Sequence, residues 1–61
     1  MSHKYKLGQE VEYYPSRGLY VPRGPYIIKA ALPLRDGEFE YHIKHQDEVH
    51  ERMARESELA E

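Results

Sequence analysis

The chain contains no cysteine and no tryptophan, and its 61 residues leave room for one domain at most. Without cysteine there is no disulfide framework and no thiolate metal site, two devices by which small domains offset a thin core. At this size burial and chain entropy nearly cancel, so the margin of stability is small. No apolar run approaches the length of a membrane span. The longest, Ala30-Ala31-Leu32-Pro33-Leu34, is interrupted by a proline. The first residues, Met1 to Lys6, carry positive charge with no apolar stretch behind it, unlike a secretory signal. A soluble, cytoplasmic protein with no membrane contact is expected. Also missing are a G-x-S-x-G nucleophile turn, a P-loop and a dinucleotide-binding glycine pattern. Ser2, Ser16 and Ser57 stand in polar turn or terminal contexts, and a chain this short can hardly enclose a substrate pocket as well as a core. An enzyme is therefore not expected.

Charge is divided unevenly. Residues 1–30 hold five lysines and arginines against two glutamates. Residues 31–61 hold four basic against nine acidic residues, and the total is −2. An acidic total argues against strong non-specific nucleic-acid binding, which depends on neutralising phosphates. The basic first half keeps a local patch open.

Turn signals divide the chain into short pieces: Gly8, Pro15-Ser16-Arg17-Gly18, Pro22-Arg23-Gly24-Pro25 and Pro33-Leu34-Arg35-Asp36-Gly37. Between them the residues alternate with the period of a strand. In Gln9–Tyr13, Val11 and Tyr13 share a face. In Tyr26–Leu32, Tyr26, Ile28, Ala30 and Leu32 do. In Phe39–Lys44, Phe39, Tyr41 and Ile43 do, while Glu40, His42 and Lys44 face out. The last two pieces flank Asp36-Gly37 and are expected to pair as a hairpin, because glycine accepts positive φ. The segment from Val49 to Met53 reads equally as strand or helix: the two residues have the same parity and also lie four apart, and the composition favours helix.

Leu7-Gly8-Gln9-Glu10-Val11, the Tyr26-Ile27-Ile28 strand ending at Leu32-Pro33, Tyr41-His42-Ile43-Lys44, Glu48 and Glu51–Leu59 together resemble a family of small, mostly uncharacterised bacterial proteins with an SH3-like barrel. The wider pattern is similar to Tudor and KOW modules. The chain departs from the family pattern at His42 and at Met53-Ala54. The resemblance implies an all-β fold: one small SH3-like barrel spanning residues 1–61, with four or five short antiparallel strands, a last strand over 49–54 and a short terminal turn over 56–59. The expected core is Val11, Tyr13, Tyr26, Ile28, Leu32, Phe39, Tyr41, Ile43 and Met53.

Five of the six tyrosines, Tyr5, Tyr13, Tyr14, Tyr20 and Tyr26, lie in the first half, among Lys4, Lys6, Arg17, Arg23 and Lys29. Aromatic faces with interleaved cations line grooves for extended peptides and also stack on bases. In an SH3-like barrel the long connection after the first strand borders the binding surface. Here it carries Tyr14, Arg17, Tyr20 and Arg23, to which Tyr5 and Lys6 are added as possible neighbours. The function expected is non-catalytic recognition of a protein or peptide partner. Nucleic-acid binding through the same patch and a homo-oligomeric structural role are the alternatives. The histidines His3, His42, His45 and His50 match no metal-ligand spacing, so they are expected to be solvated, and no metal or cofactor is expected. The carboxylate pairs Glu10/Glu12 and Glu38/Glu40 fall on outward strand faces, where hydration leaves them unsuited to acid–base work.

Overall fold

The computed structural model describes residues 2–16, 18 and 20–61, and they form an all-β fold. The strands are β1 (Glu10–Tyr13), β2 (Tyr26–Arg35), β3 (Glu38–His45), β4 (Arg52–Arg55) and β5 (Leu59–Ala60), with a single 3-10 turn, Glu56–Glu58, between the last two. They make one open antiparallel sheet in the order β4-β3-β2-β1-β5. The two edge strands are thus neighbours in sequence. The β2–β3 hairpin closes at Asp36-Gly37, whose φ values of 51° and 83° are both positive, as a type I′ turn requires.

Alternation explains most of the core. Val11, Tyr26, Ile28, Tyr41 and Ile43 are buried as their parity predicts, while Tyr13 and Phe39 pack against them half-buried. The alternation in β2 fails past Ile28. Ile28 stands opposite Ile43, but Ala30 stands opposite His42, so Lys29 is an extra residue in the ladder. A second register shift lies between Leu32 and Leu34. Each bulge changes the phase of the pleat and bends the strand. Leu32 is consequently opposite the outward-facing Glu40 and only half-buried, not a core residue. Pro33 sits at the second bulge, where a strand tolerates the loss of an N–H.

Only the end of the ambiguous C-terminal segment is strand: β4 begins at Arg52, and the expected strand over 49–51 is absent, with Val49 fully exposed. Leu59 opens a further strand and does not close a turn. The inward residue of β4 is Ala54, not Met53. Ala54 is 1% exposed and Met53 52%. The register sets this: Ala54 lies opposite the buried Tyr41 and Met53 opposite the outward His42. Ala54→Leu should destabilise by about 1–3 kcal/mol through overpacking, whereas Met53→Ser should stay within about 0.5 kcal/mol. Urea midpoints of the two variants measure the contrast.

The N-terminal arm joins the core, which alternation did not predict. Tyr5 is 1% exposed, donates its hydroxyl to the Leu59 carbonyl at 3.0 Å and meets the Tyr41 ring edge-on at 5.7 Å. His3 lies 3.9 Å from the Phe39 ring centroid and bonds the Leu32 carbonyl at 2.6 Å. The Tyr41 hydroxyl gathers the Lys4 and Tyr5 amides and donates to Glu56 Oε2 at 2.5 Å. At the other end, β5 pairs with β1 through Glu12–Ala60 and Tyr13–Leu59. The Tyr14 amide extends this pairing to the Glu58 carbonyl at 2.7 Å.

Candidate functional site

The connection from β1 to β2 begins where β1 is pinned. Glu58 Oε2 accepts the Ser16 amide and hydroxyl, both at 2.9 Å, and Glu58 Oε1 accepts the Arg55 amide at 2.9 Å. The connection ends where two core side chains hold consecutive carbonyls. The Tyr26 hydroxyl donates to Pro22 at 2.9 Å, and the His45 ring bonds Arg23 at 2.8 Å. Gly24 follows with a φ of +109°, and a Cβ there would lie 3.5 Å from His45 Nε2. A side chain at Gly24 would therefore be strained in its backbone, although its Cβ would meet that ring only in ordinary van der Waals contact.

Between these anchors lies a groove of about 620 Å³. Tyr13 and Val21 are half-buried in its wall, Pro15 and Pro22 flank it, and Tyr14 and Tyr20 stand on it with 64% and 103% of their surface exposed. Glu12 and Arg23 supply opposite charges. Three of the four expected site residues, Tyr14, Tyr20 and Arg23, therefore line one groove. Arg17 lies outside the described residues. Tyr5 belongs to the core and not to this surface, because it is almost wholly buried. Lys6 is exposed, away from the groove lining, with its amide on Gln9 Oε1 at 3.0 Å. Burial, with Glu58 nearby, raises the Tyr13 phenol above its ordinary value.

Sequence reasoning missed Pro15, Val21 and Pro22 as lining, although two prolines bracketing Tyr14 to Tyr20 were a visible signal. It also misjudged His45. Far from solvated, His45 is 2% exposed and edge-on to Tyr26 at 5.0 Å. Its parity with Tyr41 and Ile43 was the overlooked clue. His42 and His50 do face water, 3.5 Å from Glu51 and 3.7 Å from Glu48 respectively. Among the described residues no cluster of three or more His, Asp or Glu is placed to hold a metal. No helix is long and apolar enough to cross a membrane among them either.

A second, more polar groove of about 390 Å³ shares Tyr13 and Pro15 with the first and runs along Met53 and Arg55 to Glu58. Glu58 thus lines the second groove and, through Ser16, holds the start of the loop that forms the first. Burial pushes its carboxyl up, but the bonds from Arg55 and Ser16 more than offset this and hold it below the usual carboxylate value. Comparison with protein-family models, with curated proteins and with solved structures finds no match to this chain.

Proposed function

We propose that this protein is a non-catalytic recognition module of the SH3-like small-barrel type, akin to the small bacterial family it resembles, acting in the cytoplasm on a protein partner. The strand order supports the barrel reading: β4 and β5 are the sheet edges, are joined by only a three-residue 3-10 turn, and the long β2 bends through two bulges. The observation that carries the function is the pair Tyr14 and Tyr20. Two large rings stand in water beside Pro15 and Pro22 over a groove held at both ends. Rigid aromatic rings offer contact area at small entropic cost, which suits an extended, proline-containing segment. Among the described residues the groove lining carries one basic side chain, Arg23, and one acidic, Glu12. That balance favours a peptide over a polyphosphate backbone.

The test is a 15N-edited NMR titration with an oligoproline peptide and, separately, with single-stranded oligothymidylate. Shifts confined to residues 12–24 on adding the peptide, weakened about tenfold or more by Tyr20→Ala, are the expected result. Shifts with the oligonucleotide alone, fading as salt is added, would replace the peptide reading with nucleic-acid binding. A concentration-dependent dimer in light scattering, with these same amides shifted, would make the rings a self-association surface.

A further inference from the structure

We infer that His45 is a proton-operated latch on the loop that forms the groove. The inference rests on that groove being the binding surface, but its first readout does not depend on any ligand.

The ring sits at the end of β3 with both nitrogens engaged. Nδ1 lies 3.0 Å from the Asp47 backbone N–H, which can only donate. Nδ1 is therefore the acceptor, and the single proton of the neutral imidazole sits on Nε2. Nε2 then donates to the Arg23 carbonyl, 2.8 Å away, which can only accept. One neutral tautomer satisfies both partners. Together with the bond from the Tyr26 hydroxyl to the Pro22 carbonyl, it fixes the Val21–Gly24 wall of the groove to β2 and β3.

A second proton breaks this arrangement. Nδ1 becomes a donor pointed at another donor, and the charge lies in a slot where the residue is 2% exposed. The groups around the ring are few. Tyr26 covers it from β2. On β3 itself, Lys44 Nζ lies 3.4 Å from the His45 carbonyl oxygen. Glu10 and Lys29 line the shallow pocket beside it, with Lys44. From the following turn, Asp47 Oδ2 is 4.0 Å from Nδ1, beyond a hydrogen bond, and 76% exposed. Glu48 is occupied by Arg52 through two bonds of 2.9 and 2.6 Å, and Arg52 is thereby neutralised. Two carboxylates near the ring are not tied to a cation, the exposed Glu10 across the shallow pocket and the hydrated Asp47, and the backbone N–H that must be displaced belongs to Asp47 itself. The protonated ring accordingly leaves its slot, the Arg23 carbonyl loses its partner, and the groove wall loosens. Ligand affinity falls with pH.

The experiment follows 15N-labelled histidine rings and backbone amides by NMR as the pH is lowered from about 8 to about 5, the range in which histidines exchange their proton. The expected result is an Nε2–H tautomer for His45 at the upper end. The amides of residues 20–24 then move with the same midpoint as its ring. In His45→Gln, whose amide can donate to Arg23 without titrating, those amides show no such step. Asp47→Asn, which keeps the backbone donor but removes the nearby carboxylate, retains the step and serves if the glutamine variant does not fold. With the oligoproline peptide, wild-type affinity drops about tenfold across the range, the scale of one lost hydrogen bond, and the glutamine variant stays level. A ring that gains its second proton while amides 20–24 stay still overturns the latch, since Asp47 has then taken over Nδ1. So does a ring that holds one proton until the whole chain unfolds. A loop step without any peptide binding upholds the latch and removes only the groove's assigned role.

Discussion

Tyr41→Ala is expected to leave the chain largely unfolded at room temperature. The side chain is 0% exposed and sits where three parts of the fold meet. Its ring touches Tyr5 and His3 from the N-terminal arm and stands opposite Ala54 of β4. Its hydroxyl ties the arm to the 3-10 turn. Removing a buried aromatic ring costs about 3–5 kcal/mol, comparable with the whole stability of a single core this small. Tyr41→Phe separates the two contributions. It keeps the ring but strands the Tyr5 amide and takes the hydroxyl donor from Glu56, while the Lys4 amide keeps its second bond, to Glu56 Oε2 at 3.0 Å. A loss of about 1–3 kcal/mol is expected, lowering the melting temperature by roughly 4–8 °C per kcal/mol at this size. A circular-dichroism melt of Tyr41→Phe within a degree or two of wild type would show that the hydroxyl network is not supporting the arm. Burial, then the Glu56 bond, raises the Tyr41 phenol above its ordinary value of 10.0, and burial does the same for Tyr13 and Tyr26. The folded chain therefore keeps these protons at a pH where the unfolded chain has lost them. The stability they give is complete below about pH 10 and is lost as pH rises through the folded values. Ultraviolet titration should show late ionisation of these three, one of which disappears in Tyr41→Phe.

Glu58→Ala is expected to cost about 1.5–3 kcal/mol, the scale of lost hydrogen bonds to a charged acceptor, and to impair the groove as well. The carboxylate takes two bonds from Ser16 and one from Arg55, so it fastens the start of the groove loop to the junction of β4 and the 3-10 turn. Glu58→Gln is the sharper variant. Its amide group presents donors where Ser16 or Arg55 also donates, so it should lose most of the same stability at neutral pH. Acid separates the two chains in a definite direction. The carboxyls of Glu48, held down by Arg52, and of Glu56 and Glu58, held down against burial by their hydrogen bonds, all lie below the ordinary 4.5. Below that value the unfolded chain binds protons that the folded chain refuses. The stability these groups give is present above about pH 4.5 and is lost as pH falls through the folded values. Wild-type urea midpoints should therefore drop steeply under acid. Those of Glu58→Gln should start lower and drop less, so that the curves converge. Parallel curves would mean that Glu58 is not held as a carboxylate.

Fold class was legible because strand alternation is a local signal. Val11, Tyr26, Ile28, Tyr41 and Ile43 each point inward at their own parity, and Asp36-Gly37 carries its turn in its own φ preference. The site was legible to the extent that Tyr14, Tyr20 and Arg23 share one connection, and chain neighbours between two anchors end up on one groove. Local signals fail where a ladder slips or a distant segment supplies the cover. The extra residue at Lys29 changes the phase of β2, and only the pairing of Ala30 with His42 reveals it. Ala54 and Met53 are equally acceptable on a short strand, and only the register against Tyr41 and His42 chooses between them. Nothing near Tyr5 marks it as core; Leu59 and Tyr41, more than thirty residues away, bury it. Composition and period thus determined the first three strands, the tight hairpin and the aromatic loop, since each depends on neighbours along the chain. The tertiary structure alone decided the bulged bend of β2, the inward face of β4, the burial of the N-terminal arm and the seating of His45 beneath the groove, since each depends on which atoms meet across the sheet.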